Sequence, residues 1–317
     1  MSSPASAPPL RRASRPFIAT LVVAMRPRQW SKNLLLFAGF LFTLDQRETV
    51  HEFYRAVAGF VVFCLLSSVV YLINDVVDRD SDRLHPKKCR RPIASGDLSV
   101  PVALVSAFLF GVISLVCAFI LGYNFGAIAA LYFAVTLSYS FYFKHIVIMD
   151  VLVLSAGFVF RAMAGALVIP VSISAWLILC TLMLALFLGL SKRRAELLSI
   201  QQSGILGTRR ILSEYSASML DQMIVIVTAC CVMSYALYTV ESPAGNRHHH
   251  YLLGTMPFVV YGIFRYLYLM HKHSLGESPD AVILEDRPTL INLGLWALTT
   301  GLIISHALDR VFLIVPR

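Results

Sequence analysis

The sequence predicts an all-α polytopic membrane protein, a bundle of about nine transmembrane helices. Three observations carry that prediction. Of the 317 residues, 57% are hydrophobic and only 14% are charged, with a mean hydropathy of +0.72. Soluble domains carry about 25% charged residues, so a chain this apolar cannot cover its own core in water, whereas lipid can serve as its solvent. Apolar runs long enough to cross a bilayer, about 17–25 residues, recur along the chain. The basic residues, finally, fall on alternate loops. A net charge of +9 invites a nucleic-acid reading, but a basic excess in a polytopic chain collects in cytoplasmic loops, and no nucleic-acid partner is expected.

The elements follow in order. Residues 1–24 read as a flexible basic tail, opening MSSPASAPPLRRASRP with no cleavable signal pattern, and residues 25–317 as a single transmembrane domain. Nine spans are predicted, at 30–47, 54–74, 100–121, 124–143, 147–168, 173–191, 218–240, 251–270 and 290–312. The first opens on Trp30-Ser31-Lys32-Asn33, residues suited to an interfacial lead-in. With the N-terminus in the cytoplasm, twenty of the 27 Lys and Arg lie on the cytoplasmic side. Only Arg47, Arg55, Arg247, Arg310 and Arg317 lie opposite, and Arg161 and Arg265 fall inside spans. This is a strong positive-inside pattern. It places the three charged loops, 74–99, 191–215 and 271–289, on the cytoplasmic face of a bacterial inner membrane, where a working site is expected. The six cysteines show no metal spacing and read as small hydrophobes.

The densest charge follows the second span. Residues 74–92, NDVVDRDSDRLHPKKCRRP, hold four aspartates and six Lys or Arg. If the helix continues past Ile73, then Asp75, Asp78 and Asp82 share one face at i, i+3 and i+7, with Asn74 beside them and Asp80 pointing away. Three carboxylates on one face repel unless a cation joins them. Hard oxygens suit Mg²⁺, which bridges carboxylates to substrate phosphates. A surface network with Arg79 and Arg83 is the plainer reading. The membrane boundary and the following KKCRRP, fit to hold phosphate oxygens, favour a Mg²⁺–phosphate site.

Asn74-Asp75-x-x-Asp78-x-x-x-Asp82 resembles the first aspartate-rich motif, NDxxDxxxD, of the UbiA-type membrane prenyltransferases. The resemblance implies nine transmembrane helices around a Mg²⁺-diphosphate, with Asp75 and Asp78 as metal-holding catalytic residues and Asn74 and Asp82 in support. It covers nearly the whole chain. The second motif departs from the family. Where usual members carry a DxxxD pair after the sixth helix, this chain reads GLSKRRAELLSI, with Glu196 its one acid and Lys192 and Arg193 on the same helical face. That variant resembles the decaprenyl-phosphate phosphoribosyltransferase branch of the family, associated with mycobacterial arabinan precursor synthesis. MRPRQWSKNLLLFAG (25–39), YLINDVVDRDSDRLHPKKCRRPIASG (71–96), FRAMAGAL (160–167), LSKRRAEL (190–197) and GESPDAVILEDR (276–287) carry it. It implies transfer of 5-phosphoribose from phosphoribosyl diphosphate to a polyprenyl phosphate, with release of diphosphate. Arg28, Lys32, Lys87, Arg90, Arg91, Lys192 and Arg193 form the pool of cations for the phosphates, and which cation meets which phosphate stays open.

Other residues keep two readings. Arg161, a charge inside the fifth span, is a functional candidate or a structural pair. Asp150 is a helix-start acid or a site member. Tyr139 and Tyr142 are interfacial aromatics, with Tyr139 also a candidate to face ribose. Arg265 reaches the same cavity or packs locally. Glu277, Asp280, Asp286 and Arg287 make a solvated connector or a lid that contacts ribose hydroxyls. The triplet His248-His249-His250 lies opposite the charged loops and reads as an ordinary loop. A conventional prenyltransferase acting on an aromatic quinone precursor is the first alternative, and the missing second acidic pair argues against it. A transporter of an anionic lipid or divalent cation is the second. Its site is expected near the midplane, not at one face. The lipid chain length and the oligomeric state, a homo-oligomer included, stay open.

Overall fold

The computed structural model describes residues 16–41, 49–85, 88–169, 174–203, 210–241, 251–273 and 285–304, and no strand occurs among them. In chain order the helices are α1 Phe17–Ala24, α2 Phe37–Leu41, α3 Thr49–Val77, α4 Arg79–Leu84, α5 Pro92–Ser95 and α6 Val100–Leu121. They continue with α7 Tyr123–Phe141, α8 Met149–Val168, α9 Ala175–Ser203, α10 Ala217–Glu241, α11 Met256–His273 and α12 Arg287–Ile304. Seven are long and apolar enough to cross a membrane: α3 and α6 to α11, the last counted with the 3₁₀ turn Tyr251–Thr255 before it. The second to eighth predicted spans therefore stand. The ninth is α12, described as far as Ile304.

The start of the chain differs from its sequence reading. Residues 17–24, assigned to the flexible tail, form α1, with Thr20 and Ala24 buried and Leu21 packed among Val69, Leu72 and Ile93. FIATLVVA is too short to span alone, yet apolar enough to dock on α3. The predicted first span is not one α-helix either. Pro27–Leu36 is a 3₁₀ segment, which passes into α2 at Phe37. A residue before proline is disfavoured in the α conformation. Arg26, before Pro27, takes a left-handed φ of 55° and ends α1 there.

Lipid removes the hydrophobic drive between helices, leaving close packing and polar bonds to hold a bundle. Both are visible. Most of α8 is buried in the bundle and little of α6 is, so α8 is central and α6 faces lipid. Small residues let other backbone reach α8. A Cβ on Gly165 would run into the carbonyl of Leu36, and one on Gly39 would lie 3.2 Å from the backbone of Ala166. One core, with Phe63, Leu66, Phe125 and Val168, joins α3, α7 and α8. A second, with Val151, Phe187, Leu220, Ile224 and Tyr266, joins α8 to α9, α10 and α11. Cys117 and Cys230 are exposed, unlike the buried Cys64 and Cys231, and all six cysteines are free.

Candidate active site

The acidic stretch leaves the bundle where α3 ends. The backbone bonds continue, Asp78 N–H to the Asn74 carbonyl and Asp82 N–H to the Asp78 carbonyl, each 2.8 Å. At Asp78, however, ψ opens to 5° and the helix breaks into α3 and α4. The consequence is a sorted set of carboxylates. Asp75 and Asp82 still share a face, and both accept from one nitrogen, Arg91 Nη1, at 3.1 and 2.6 Å. Arg26 adds a second bond to Asp75, made from its left-handed position. Asp78 turns aside, accepting Lys144 Nζ at 2.6 Å and Asn74 Nδ2 at 3.1 Å. Asp75 and Asp82 are 2% exposed, so these are desolvated charges and not a rim network.

A second charged cluster lies on α8 and α9. Asp150, fully buried in the first turn of α8, accepts Arg193 Nε at 2.6 Å and the Tyr215 hydroxyl at 2.8 Å. Arg193 Nη1 donates to Glu196 at 2.5 Å, and Lys192 stands 4.0 Å from the same carboxylate. Tyr139, in the last turn of α7, is half-buried. Burial pushes the Tyr215 hydroxyl up to about 12. Deeper, the buried Arg161 donates to Asn33 Oδ1, the Gly157 carbonyl and the Tyr132 hydroxyl at 2.8, 3.0 and 2.8 Å, between the faces of Tyr132 and Phe158. Asn33 in turn reaches Ser67 Oγ at 3.2 Å.

The oxygen donors of Asn74, Asp75, Asp78 and Asp82 fit a hard cation such as Mg²⁺. Arg26, Arg91 and Lys144 supply positive charge at those same oxygens. Among the described residues no three His, Cys, Asp or Glu side chains already converge as ligands; Asp78 pairs with Lys144 while Asp75 and Asp82 share Arg91. An ion joining Asp75 to Asp78 would displace a protein cation.

The sequence profile of the UbiA prenyltransferase family matches residues 33–284. The chain belongs to the UbiA prenyltransferase family. Decaprenyl-phosphate phosphoribosyltransferase of Mycolicibacterium smegmatis is 33% identical over 313 residues, 95% of each chain. The protein of that name from Mycobacterium tuberculosis is 33% identical over 287 residues, 90% of this chain and 94% of its own. A UbiA homolog from Archaeoglobus fulgidus, solved bound to GPP and Mg²⁺, superposes with a TM-score of 0.70 at 21% identity, covering 90% of this chain and 99% of that one.

In this UbiA-family enzyme the candidate residues divide into groups. Asp75 and Asp82 meet at Arg91, Asn74 and Asp78 meet beside them at Lys144, and Arg193, Glu196 and Lys192 form a separate group. Arg161 serves the protein core. Arg265 makes a two-pronged bond to Asp286, at 3.1 and 2.8 Å, and so clasps α11 to the start of α12. That bond, with those of Thr289, holds the Asp286 carboxyl well below the usual carboxylate range. Arg28, Arg90 and Arg287 are exposed. Lys87 and Asp280, and the His248–His250 triplet, lie outside the described residues. Sequence reasoning passed over Arg26, Lys144 and Tyr215. The Arg26-Pro27 pair is the signal for the first, since a residue barred from the α region before proline aims its side chain anew. Lys144 and Tyr215 carry no local signal.

Proposed function

We propose that this chain transfers 5-phosphoribose from phosphoribosyl diphosphate to a polyprenyl phosphate, with Mg²⁺, and releases diphosphate. The observation that carries the proposal is the gathering of cations from three separate segments around one acidic motif. Arg26, Arg91 and Lys144 touch its carboxylates, and Arg193 stands where a usual family member would carry acid. Such a surplus of cation suits a donor with a 5-phosphate as well as a diphosphate. The names of the relatives support the same choice. A conventional prenyltransferase would need a second acidic pair, and the corresponding stretch offers Glu196 alone, committed to Arg193.

In this reading the bond between ribose C1 and the diphosphate oxygen breaks, and a phosphate oxygen of the lipid bonds to C1. Asp75 and Asp78 would hold Mg²⁺, which would supply charge stabilisation to the leaving diphosphate. Arg26, Arg91 and Lys144, freed from the carboxylates, are then placed to hold phosphate oxygens. The acceptor is already an anion, so no general base is required, and positioning carries the rate. Lipid enters sideways with its tail in the bilayer. The charged end faces the cytoplasm of a bacterial inner membrane, and the product serves lipid-linked pentose supply for the cell wall.

The test is direct. Purified protein in detergent, given Mg²⁺, labelled phosphoribosyl diphosphate and a polyprenyl phosphate, should move label into the organic phase. Chelation should stop it, and Asp78→Ala should lower it at least about a hundredfold while the protein stays folded. Transfer to an aromatic acceptor from a prenyl diphosphate, with none from phosphoribosyl diphosphate, would sink the proposal.

A further inference from the structure

We propose that Tyr215 is a positioning residue: its hydroxyl pins the turn between α7 and α8, and through that turn it sets Lys144 against Asp78. The turn has an unusual backbone. Ile148 sits at φ 70° and ψ −44°, a region that β-branched side chains scarcely enter. Something must hold it there. The Ile148 N–H donates to the Tyr215 hydroxyl at 2.7 Å, and that hydroxyl donates onward to Asp150 Oδ1 at 2.8 Å. Asp150 is itself held by Arg193 at 2.6 Å. The other hydrogen bonds of the turn are local, such as His145 N–H to the Tyr142 carbonyl and Ile146 N–H to the Phe143 carbonyl. Among the described residues, the turn reaches distant parts of the chain by hydrogen bonds at two points, Ile148 to Tyr215 and Lys144 to Asp78.

The Tyr215 hydroxyl thus stands between the two charged clusters. On one side it accepts from the turn that carries Lys144. On the other it donates to the carboxylate that orients Arg193. A hydrogen bond to a buried partner and the strain of a β-branched residue at positive φ are of similar size. Without the hydroxyl the strain at Ile148 is no longer opposed, and the turn relaxes. Lys144 Nζ, on a side chain only 11% exposed, then leaves Asp78. A cation bound to Asp78 and a divalent ion bound there exclude each other by charge, so releasing Lys144 should ease entry of the ion. The inference rests on the reading of Asp78 as part of the metal–diphosphate site.

The experiment compares wild type with Tyr215→Phe, which keeps the ring in its buried cluster, as full-length protein in detergent. Lysines are acetylated under limiting reagent and each site is followed by peptide mass spectrometry. Lys144 should react about fivefold faster in the variant, with Lys32 and Lys192 unchanged. An unchanged Lys144, or a rise shared by all three, overturns the pin. Mn²⁺ binding is measured on the same samples without substrate. Tyr215→Phe should bind Mn²⁺ about threefold to tenfold more tightly, whereas a general loosening would weaken binding. Faster labelling without tighter Mn²⁺ overturns the competition at Asp78. A wild type whose Mn²⁺ binding survives Asp78→Ala sinks the metal reading instead, and the labelling still judges the pin. Should Tyr215→Phe not fold, residue-resolved amide exchange in wild type decides: a protected Ile148 N–H supports the pin, and exchange as fast as an open turn overturns it.

Discussion

Arg161 shows what one residue does in a bundle without a hydrophobic drive. An intramembrane arginine read from sequence is open between substrate and structure. The structure spends its guanidinium on three protein acceptors, and among the described residues no carboxylate lies within ion-pair distance of it. Its reach matters more than its charge, because Asn33 on the 3₁₀ segment, Tyr132 on α7 and Gly157 on α8 are tied by one planar fork. Lysine is a point charge and cannot bridge them. Arg161→Lys should therefore cost about 2–4 kcal/mol, the sum of two lost buried bonds, read as a lower melting temperature in detergent. The segment Pro27–Leu36 should loosen with it, so the KM for the proposed donor, phosphoribosyl diphosphate, should rise more than kcat falls. A variant with wild-type stability would return Arg161 to the substrate.

At the scale of elements, hydropathy and helical spacing made most of the fold legible, for reasons visible in single residues. The long apolar runs became α3 and α6 to α11 because lipid demands internally bonded helices. The i, i+7 spacing of Asp75 and Asp82 put both on Arg91. Asp78 departed because one backbone torsion, ψ 5°, redirects its side chain, and no residue type announces that. The first span departed because apolar content cannot tell a 3₁₀ segment from an α-helix. Nor does spacing assign Arg55, one of the few basic residues away from the charged end. Its Nη2 donates to the Leu121 carbonyl and its Nε to the Val168 carbonyl, both at 2.7 Å. It thereby caps the C-termini of α6 and α8, where backbone acceptors lack helical partners. Arg55→Leu leaves both carbonyls unpaired at about 1–3 kcal/mol each. The expected result is a melting temperature lower by several degrees with metal binding untouched. Equal melting temperatures would show that water replaces the arginine without loss.

At the scale of the molecule, charge segregation in the sequence pointed to a candidate working end, where Arg26 and Lys144 reach the acidic motif from other segments and Arg193 pairs with Asp150. It could not say how that end stays assembled across pH, because partners such as Tyr215 and Asp150 are 65 residues apart. Two groups outside the spans set the window. Asp286 is held below the usual carboxylate range by Arg265, so its contribution is present in full above the unfolded value near about 4 and is lost as pH falls through the lowered folded value. Tyr215 is raised to about 12 by burial, so its contribution is present below the unfolded value and lost as pH climbs toward the folded one. Between the two, neither group changes charge. The melting-temperature gap between wild type and Asp286→Asn should thus hold steady from pH 8 to about pH 5 and narrow only below about pH 4. A gap already closing between pH 7 and pH 5 would mean that Arg265 does not hold Asp286, and that α11 and α12 are joined by packing and by the bond from Asn292 Nδ2 to the Phe258 carbonyl.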